Sequence, residues 1–331
     1  MPPAQLLRQA AAYDRTSEQH RKKEQSAMTH AANGEIDRQL PLDDEVFLDH
    51  VGHFVPDAQA ASQALTRAGF APTPVSVQVD PAGTPTGTGN VCAMFARGYI
   101  EILFKTAATP LAAELDASMA RYSGVHLAAF AVADAAAAHD RLGEVGFALR
   151  PLVSMQRPVG TETGQATAAF TVARVERGAM AEGRIQILTH HTEDAVWQPR
   201  WLTHLNGARG LASVVIAVAD IDEAAARFAR FTGRPAMTTR SGQTIELDRG
   251  RVELVTRDAF EVALPEIAIA TLPFIGAYAV HVGSLGLVER ILRDAGLSPR
   301  AAGDCLVAPF PAELGAGGWL FVDSREVSLF A

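Results

Sequence analysis

Two adjacent imidazoles, His190 and His191, precede Trp197 and Trp201, and His204 and the pair Asn206-Gly207 follow close behind. An imidazole titrates near neutrality, so either histidine can act as a general base, while an indole supplies a flat apolar wall with one N–H donor. One reading makes this segment a lid or cavity wall that brings His190 or His191 to a reacting centre, with Trp197 against the substrate. The other makes it a connector whose tryptophans pack across both halves of the chain, with Asn206-Gly207 as a turn. Pro81–Asn90 (PAGTPTGTGN) reads as a flexible loop ending in Asn90, a polar group able to face a substrate cavity. It is not a phosphate loop, since the Lys-Ser/Thr ending and a following helix are both missing. Cys92 reads as a small apolar strand residue with no base beside it. No GxSxG, HExxH, Walker A, paired CxxC or dinucleotide glycine fingerprint occurs, which removes the hydrolase, zincin and nucleotide chemistries those motifs carry.

The elements that must position these side chains repeat. Leu48 to Asp57, Val125 to Asp134 and Leu211 to Asp220 each read as a short apolar strand ending in an Asp. That Asp can cap the alanine-rich helix of about three turns that follows, and Gly69, Gly146 and Gly233 sit where such helices stop. A fourth, weaker copy begins at Tyr278 and ends its helix near Gly296. Each copy then closes on a glycine followed by alternating apolar residues around one polar position: Gly98 to Leu103, Gly183 to Leu188, Gly250 to Val255 and Gly318 to Val322. That alternation predicts a half-buried strand aiming one polar group at one face.

Composition bounds the rest. With 331 residues, 48 % of them hydrophobic and 20 % charged, the chain has material for two compact domains with real cores. A net charge of −8 argues against a general nucleic-acid binder. No apolar run is long enough to cross a membrane and no secretory signal opens the sequence. Two cysteines, Cys92 and Cys305, are too few for a disulfide framework, which fits a cytoplasmic location. Residues 1–44 read as a polar extension, rich in charge from Arg15 to Gln25.

Strand, helix and three strands, with His near the start and Glu in the last strand, resemble the βαβββ module of the vicinal oxygen chelate superfamily. Its members include glyoxalase I, extradiol dioxygenases and antibiotic-resistance binding proteins. The stretch His190 to Trp201, with His204 and Asn206-Gly207-Ala208, looks like a glyoxalase-like subfamily. The resemblance implies an α+β fold of four modules, the last weak, forming cupped mixed β-sheets flanked by helices. It divides the chain into a glyoxalase-like domain at 45–193, a connector or lid at 194–209 and a second such domain at 210–331. A homodimer is compatible with it.

The resemblance also implies a divalent cation (Zn, Fe, Mn, Co or Ni) held by His50, Glu101, His126 and Gln186 on the first and last strands of modules one and two. Register qualifies this set. His50 lies seven residues before Asp57, whereas the residue seven before Asp134 is Leu127, so alternation turns His126 to the other face unless a β-bulge adds a residue. His53, three after His50, belongs on the opposite face as a surface or inter-sheet residue. The matching positions of the second half hold Ser213, Glu253, Ala277 and Leu320, with His281 off register, so that half reads as structural, an interface or a lid. The function implied is a metal-dependent lyase or isomerase on a small substrate with adjacent oxygens, acting through an enediolate, with Glu101, His190 or His191 as base. Two alternatives stand beside it: an Fe(II) ring-cleaving dioxygenase using His50, His126 and Glu101, and a non-catalytic small-molecule-binding protein.

Overall fold

The computed structural model describes residues 38–80, 82–324 and 327–331. Most of the expected polar extension lies outside them. Four βαβββ modules follow one another. The first comprises β1 (Phe47–Phe54), α1 (Ala58–Arg67), β2 (Ser76–Val79), β3 (Pro85–Met94) and β4 (Tyr99–Lys105). After α2 (Pro110–Met119) come β5 (Gly124–Ala131), α3 (Ala135–Glu144), β6 (Val153–Thr161), β7 (Gly164–Arg174) and β8 (Arg184–His190). A short α4 (Glu193–Val196) and a 3-10 turn (Pro199–Trp201) lead to β9 (Ala208–Val218), α5 (Ile221–Thr232), β10 (Ala236–Thr238), β11 (Gly242–Glu246) and β12 (Arg251–Thr256). The last module follows α6 (Arg257–Ala263) and contains β13 (Phe274–Val282), α7 (Leu285–Asp294), β14 (Arg300–Ala302), β15 (Cys305–Pro309) and β16 (Gly318–Val322).

Local chemistry sets these boundaries. The carboxylates of Asp57, Asp134 and Asp220 accept hydrogen bonds from the first-turn N–H groups of α1, α3 and α5. The weaker fourth copy uses the Ser284 hydroxyl in the same way. Just past these helices Gly69, Gly146, Gly233 and Gly296 all have positive φ, the conformation that ends a helix at least cost in glycine. The loop expected over residues 81–90 is shorter than its composition suggests, because β3 begins at Pro85. Gly89 allows this, since a Cβ there would run into the Phe104 ring.

In each module the first strand runs parallel to the last: β1 with β4, β5 with β8, β9 with β12 and β13 with β16. Antiparallel pairing of β1 with β5 joins modules one and two, and β9 with β13 joins modules three and four. The first cup therefore forms within one chain. A single residue pair between β2 and β6, Val79 with Gln156, closes it into a barrel, whereas the second eight-stranded sheet leaves β10 and β14 as free edges.

One apolar core runs through both halves. Phe70 packs its ring on Trp319 and Phe321, while Phe130 and Phe147 pack on Phe231. His53 lies in this seam, as a residue on the far face from His50 should. Its Nδ1–H donates to the Leu314 carbonyl at 2.9 Å, and its Nε2 accepts from the Tyr278 hydroxyl at 2.9 Å. Tyr278 in turn accepts from the Trp319 indole at 2.8 Å. The second cup is filled by its own chain: Phe260 of α6 and Phe330 near the C-terminus lie in one cluster with Val215, Ala277 and Leu320. There Glu253 is bonded by Ser213, Arg251 and Ser328. Among the described residues no helix is long and apolar enough to cross a membrane.

Candidate functional site

The first cup stays open. It encloses about 540 Å³ counting the solvent at its mouth, and His50, Asn90, Tyr99, Glu101, Arg157 and Arg174 are among its walls. Gln186, Leu127, Leu188 and Phe170 also line it.

Its chemical centre is built around a residue that strand alternation would have turned away. β1 pairs Leu48 with Phe130 and His50 with Ala129, so Asp49 is the extra residue of a bulge. That irregularity lets Asp49, fully buried, serve two histidines at once. His50 Nδ1–H donates to Asp49 Oδ2 at 2.6 Å, and His190 Nε2–H donates to Asp49 Oδ1 at 3.0 Å. Burial pushes the Asp49 carboxyl up, but the two histidines outweigh it and hold the group well below the usual carboxylate range. With Nδ1–H committed to Asp49, His50 presents Nε2 to the cup, 3.6 Å from Glu101 Oε2. The His50 ring stacks on Tyr99 with centroids 4.4 Å apart. Asn90 Nδ2 donates to Glu101 Oε1 at 2.6 Å and so fixes the carboxyl that β4 aims inward.

The remaining candidates divide. Asn90, His50, Glu101 and Gln186 come together in the cup, and His190 stands behind it through Asp49. His190 is covered by the edges of Phe170 and Trp197, with Nδ1 buried and without a partner. Trp197 is buried against Tyr99 and His190, so it backs the wall residues and does not line the cavity. His191 is exposed and bonds Thr171 on the outer surface, as the next residue of a strand must.

His126 also stays outside. A second register shift lies where Gly52 pairs with Leu127 and His53 with Val125, leaving His126 as the unpaired residue. The bulge exists, yet it sends the ring outward: Nε2–H donates to the Tyr122 carbonyl at 2.6 Å and the ring stacks on Tyr122. Burial lowers its pKa to about 4. Leu127 takes the inward place, its Cβ packed where a side chain on Gly52 would sit. Cys92 is a buried strand residue whose thiol is pushed up to about 12 by burial, which rules it out as a nucleophile near neutral pH. His204 and Asn206 fix the connector, His204 between Ala71 and Met94 and Asn206 between Ala68 and Ala208.

The donors do not make a four-ligand centre. Only His50 and Glu101 are adjacent, Leu127 replaces the second imidazole, and the Gln186 amide oxygen accepts from Arg174 Nε at 3.0 Å. Among the described residues no group of three or more His, Cys, Asp or Glu side chains could hold a metal ion. Sequence reasoning missed Asp49, Arg157 and Arg174. Asp49 was hidden by the bulge, and arginines on β6 and β7 carry no motif of their own.

Comparison with known proteins gives the same fold. A family model described as a glyoxalase-like domain matches residues 48–232. A triply substituted 4-hydroxymandelate synthase from Streptomyces coelicolor is 15 % identical, covering 84 % of this chain and 92 % of its own at a TM-score of 0.56. A hypothetical protein from Staphylococcus aureus is 10 % identical, covering 83 % and 98 % at a TM-score of 0.58. No curated protein matches the sequence.

Proposed function

The chain belongs to the glyoxalase-like domain family, and we propose that it is a cytoplasmic enzyme whose first cup moves a proton on a small substrate with adjacent oxygens. The observation that carries this reading is the Glu101 carboxyl, oriented by Asn90 and standing 3.6 Å from His50 Nε2, with buried Asp49 bonded to His50 from behind. A carboxylate beside an imidazole in the wall of a concave site is a general base with a neighbouring proton carrier. Glu101 takes the proton from the carbon next to a carbonyl, and the electron pair moves onto the oxygen to give an enediolate. His50 Nε2 faces that oxygen and relays a proton to or from it, held in place by Asp49. The outcome is isomerisation or lyase chemistry. Between Glu101 and the two histidines proposed from the sequence, this arrangement favours Glu101, since His191 faces outward and His190 is covered.

The test is deuterium exchange. Dihydroxyacetone, acetoin and lactaldehyde are incubated in D₂O with wild-type protein and with Glu101→Gln, and the α-proton is followed by NMR. Wild-type protein should accelerate exchange on at least one of them, and the variant should lose roughly 10²–10⁴-fold. No acceleration, or acceleration that Glu101→Gln leaves unchanged, overturns the reading.

A second reading keeps a divalent cation, favoured by the 3.6 Å separation of His50 Nε2 and Glu101 Oε2, close enough to share one ion. It supports the lyase or isomerase with metal assistance and, with iron, the ring-cleaving dioxygenase; the latter wants a second histidine, and His126 bonds Tyr122 instead. Elemental analysis of wild type beside His50→Ala and Glu101→Ala tests it, followed by oxygen uptake with a catechol after anaerobic iron loading. A wild type that stays metal-free after loading removes both forms of it.

A further inference from the structure

We propose that the molecule taken by the first cup is a small organic acid, and that its carboxylate pairs with Arg157. This rests on the reading of the cup as a small-molecule site and names the class of molecule. Arg157 lies on β6, is only 7 % exposed, and lines the cavity that holds His50 and Glu101. Among the described residues its guanidinium has neither a hydrogen-bond acceptor nor a carboxylate within ion-pair distance. Guanidinium groups set into a protein wall are ordinarily paired, because five N–H donors and a charge are costly to strip of water; the Arg157 nitrogens are left to the open cavity instead. The other arginines near the cup obey that rule. Arg184 is paired with Glu114 at 3.3 Å, and Arg174 donates to Gln186. Arg157 is the exception, and a planar, forked cation fits a carboxylate with two parallel hydrogen bonds.

The charge around the site agrees. The chain as a whole is acidic, at −8. Yet a second cavity that shares Arg174 and Arg184 with the cup adds Arg121, Arg150 and Arg177 around the carboxylates Glu114 and Glu176. Such a local excess of cations draws anions towards the region. Arg157 and Glu101 act on the same neighbours, since Cys92 and Tyr99 both feel the two charges. Because Arg157, Glu101 and His50 line one cavity, a carboxylate held by Arg157 leaves the rest of a small molecule in the space they share.

The experiment compares acids with their neutral amides. Lactate, 2-oxobutyrate and benzoylformate, each beside its amide, are titrated into wild-type protein, Arg157→Gln, Arg157→Lys and Glu101→Gln, with binding read by calorimetry and thermal shift. Wild type should prefer at least one acid over its amide by roughly ten- to a hundredfold, the worth of one charge-assisted pair. Arg157→Gln should bring acid and amide to within about threefold, with Arg157→Lys in between, because a point charge keeps attraction but loses the fork. Glu101→Gln should keep the acid preference even though it abolishes proton exchange, which separates failure of this inference from failure of the catalytic reading. If wild type shows no preference for any acid, or if Arg157→Gln keeps it, the inference is overturned.

Discussion

Lowering the pH should unfold this protein early, and two buried histidines set how early. His53 sits in the seam between the halves with both ring nitrogens in use, and burial first, together with the charge of His126, lowers its pKa from 6.5 to about 4. His126, stacked on Tyr122, is lowered to about 4 as well, again chiefly by burial. Both are therefore neutral in the fold at pH 5, while the unfolded chain protonates them. The unfolded state binds more protons, so stability falls as pH falls, beginning below about 6.5 and levelling off below about 4. For each group the loss at pH 5 is about 1.4 kcal/mol times the logarithm of the ratio of the two binding polynomials, or about 2 kcal/mol. Together they remove about 4 kcal/mol between pH 7.5 and 5, and His204, also lowered by burial, acts in the same direction. Asp49 does not contribute in this window, because its carboxyl is held far below it. Urea unfolding at half-unit steps of pH measures the slope directly. A His53→Phe variant, whatever its stability at pH 7.5, should lose about half of the dependence. A wild-type stability that stays level from pH 7.5 to 5 would refute the burial argument for both residues.

Two further outcomes probe the cup. Asp49→Asn can accept from only one of His50 and His190 and turns its amide N–H towards the other, so we expect a loss of about 1–3 kcal/mol in urea melts; an unchanged midpoint would mean that Asp49 is not the shared acceptor. Leu127→His places an imidazole at the inward position opposite His50 and Glu101, and Zn²⁺ or Ni²⁺ should then raise the melting temperature of the variant well beyond any effect on wild type. Equal responses would show that position 127 does not complete a donor set.

How much of this was legible in the sequence depended on whether the signal was periodic. The capping aspartates, the helix-ending glycines and the glycine-led last strands recur at matching places, and the modules they delimit fold as repetition implied. His50 and Glu101 were readable because each occupies the repeated inward position. The same arithmetic identified Leu127, not His126, as the inward residue of β5, and the bulge that could have reversed it did not. Bulges are where the reading ran out. Asp49 is adjacent to His50 and by alternation should face the other way, and only the slip in the β1–β5 register lets one carboxylate reach two imidazoles. His190 is tied to that carboxylate across 141 residues of sequence, a pairing no local pattern carries. Arg157 and Arg174 were passed over because an arginine on a strand reads as a solvated face until its burial is known.

The two cups, built from one repeated module, differ in how completely they satisfy their polar groups. In the second, Glu253 receives hydrogen bonds from Ser213, Arg251 and Ser328, and aromatic side chains of the same chain fill the hollow. That arrangement asks nothing of a ligand. In the first, among the described residues, Asn90 Oδ1, His190 Nδ1 and Trp197 Nε1 are buried without partners in and behind the cup. Each such group costs on the order of 1–3 kcal/mol, and an apolar residue in its place would relieve it. The second cup demonstrates that this module can be packed without such costs. Asn90 and Arg157 stand on that one concave surface, beside a carboxyl held by Asn90 and a histidine held by Asp49, and a ligand with acceptors and donors of its own would satisfy them.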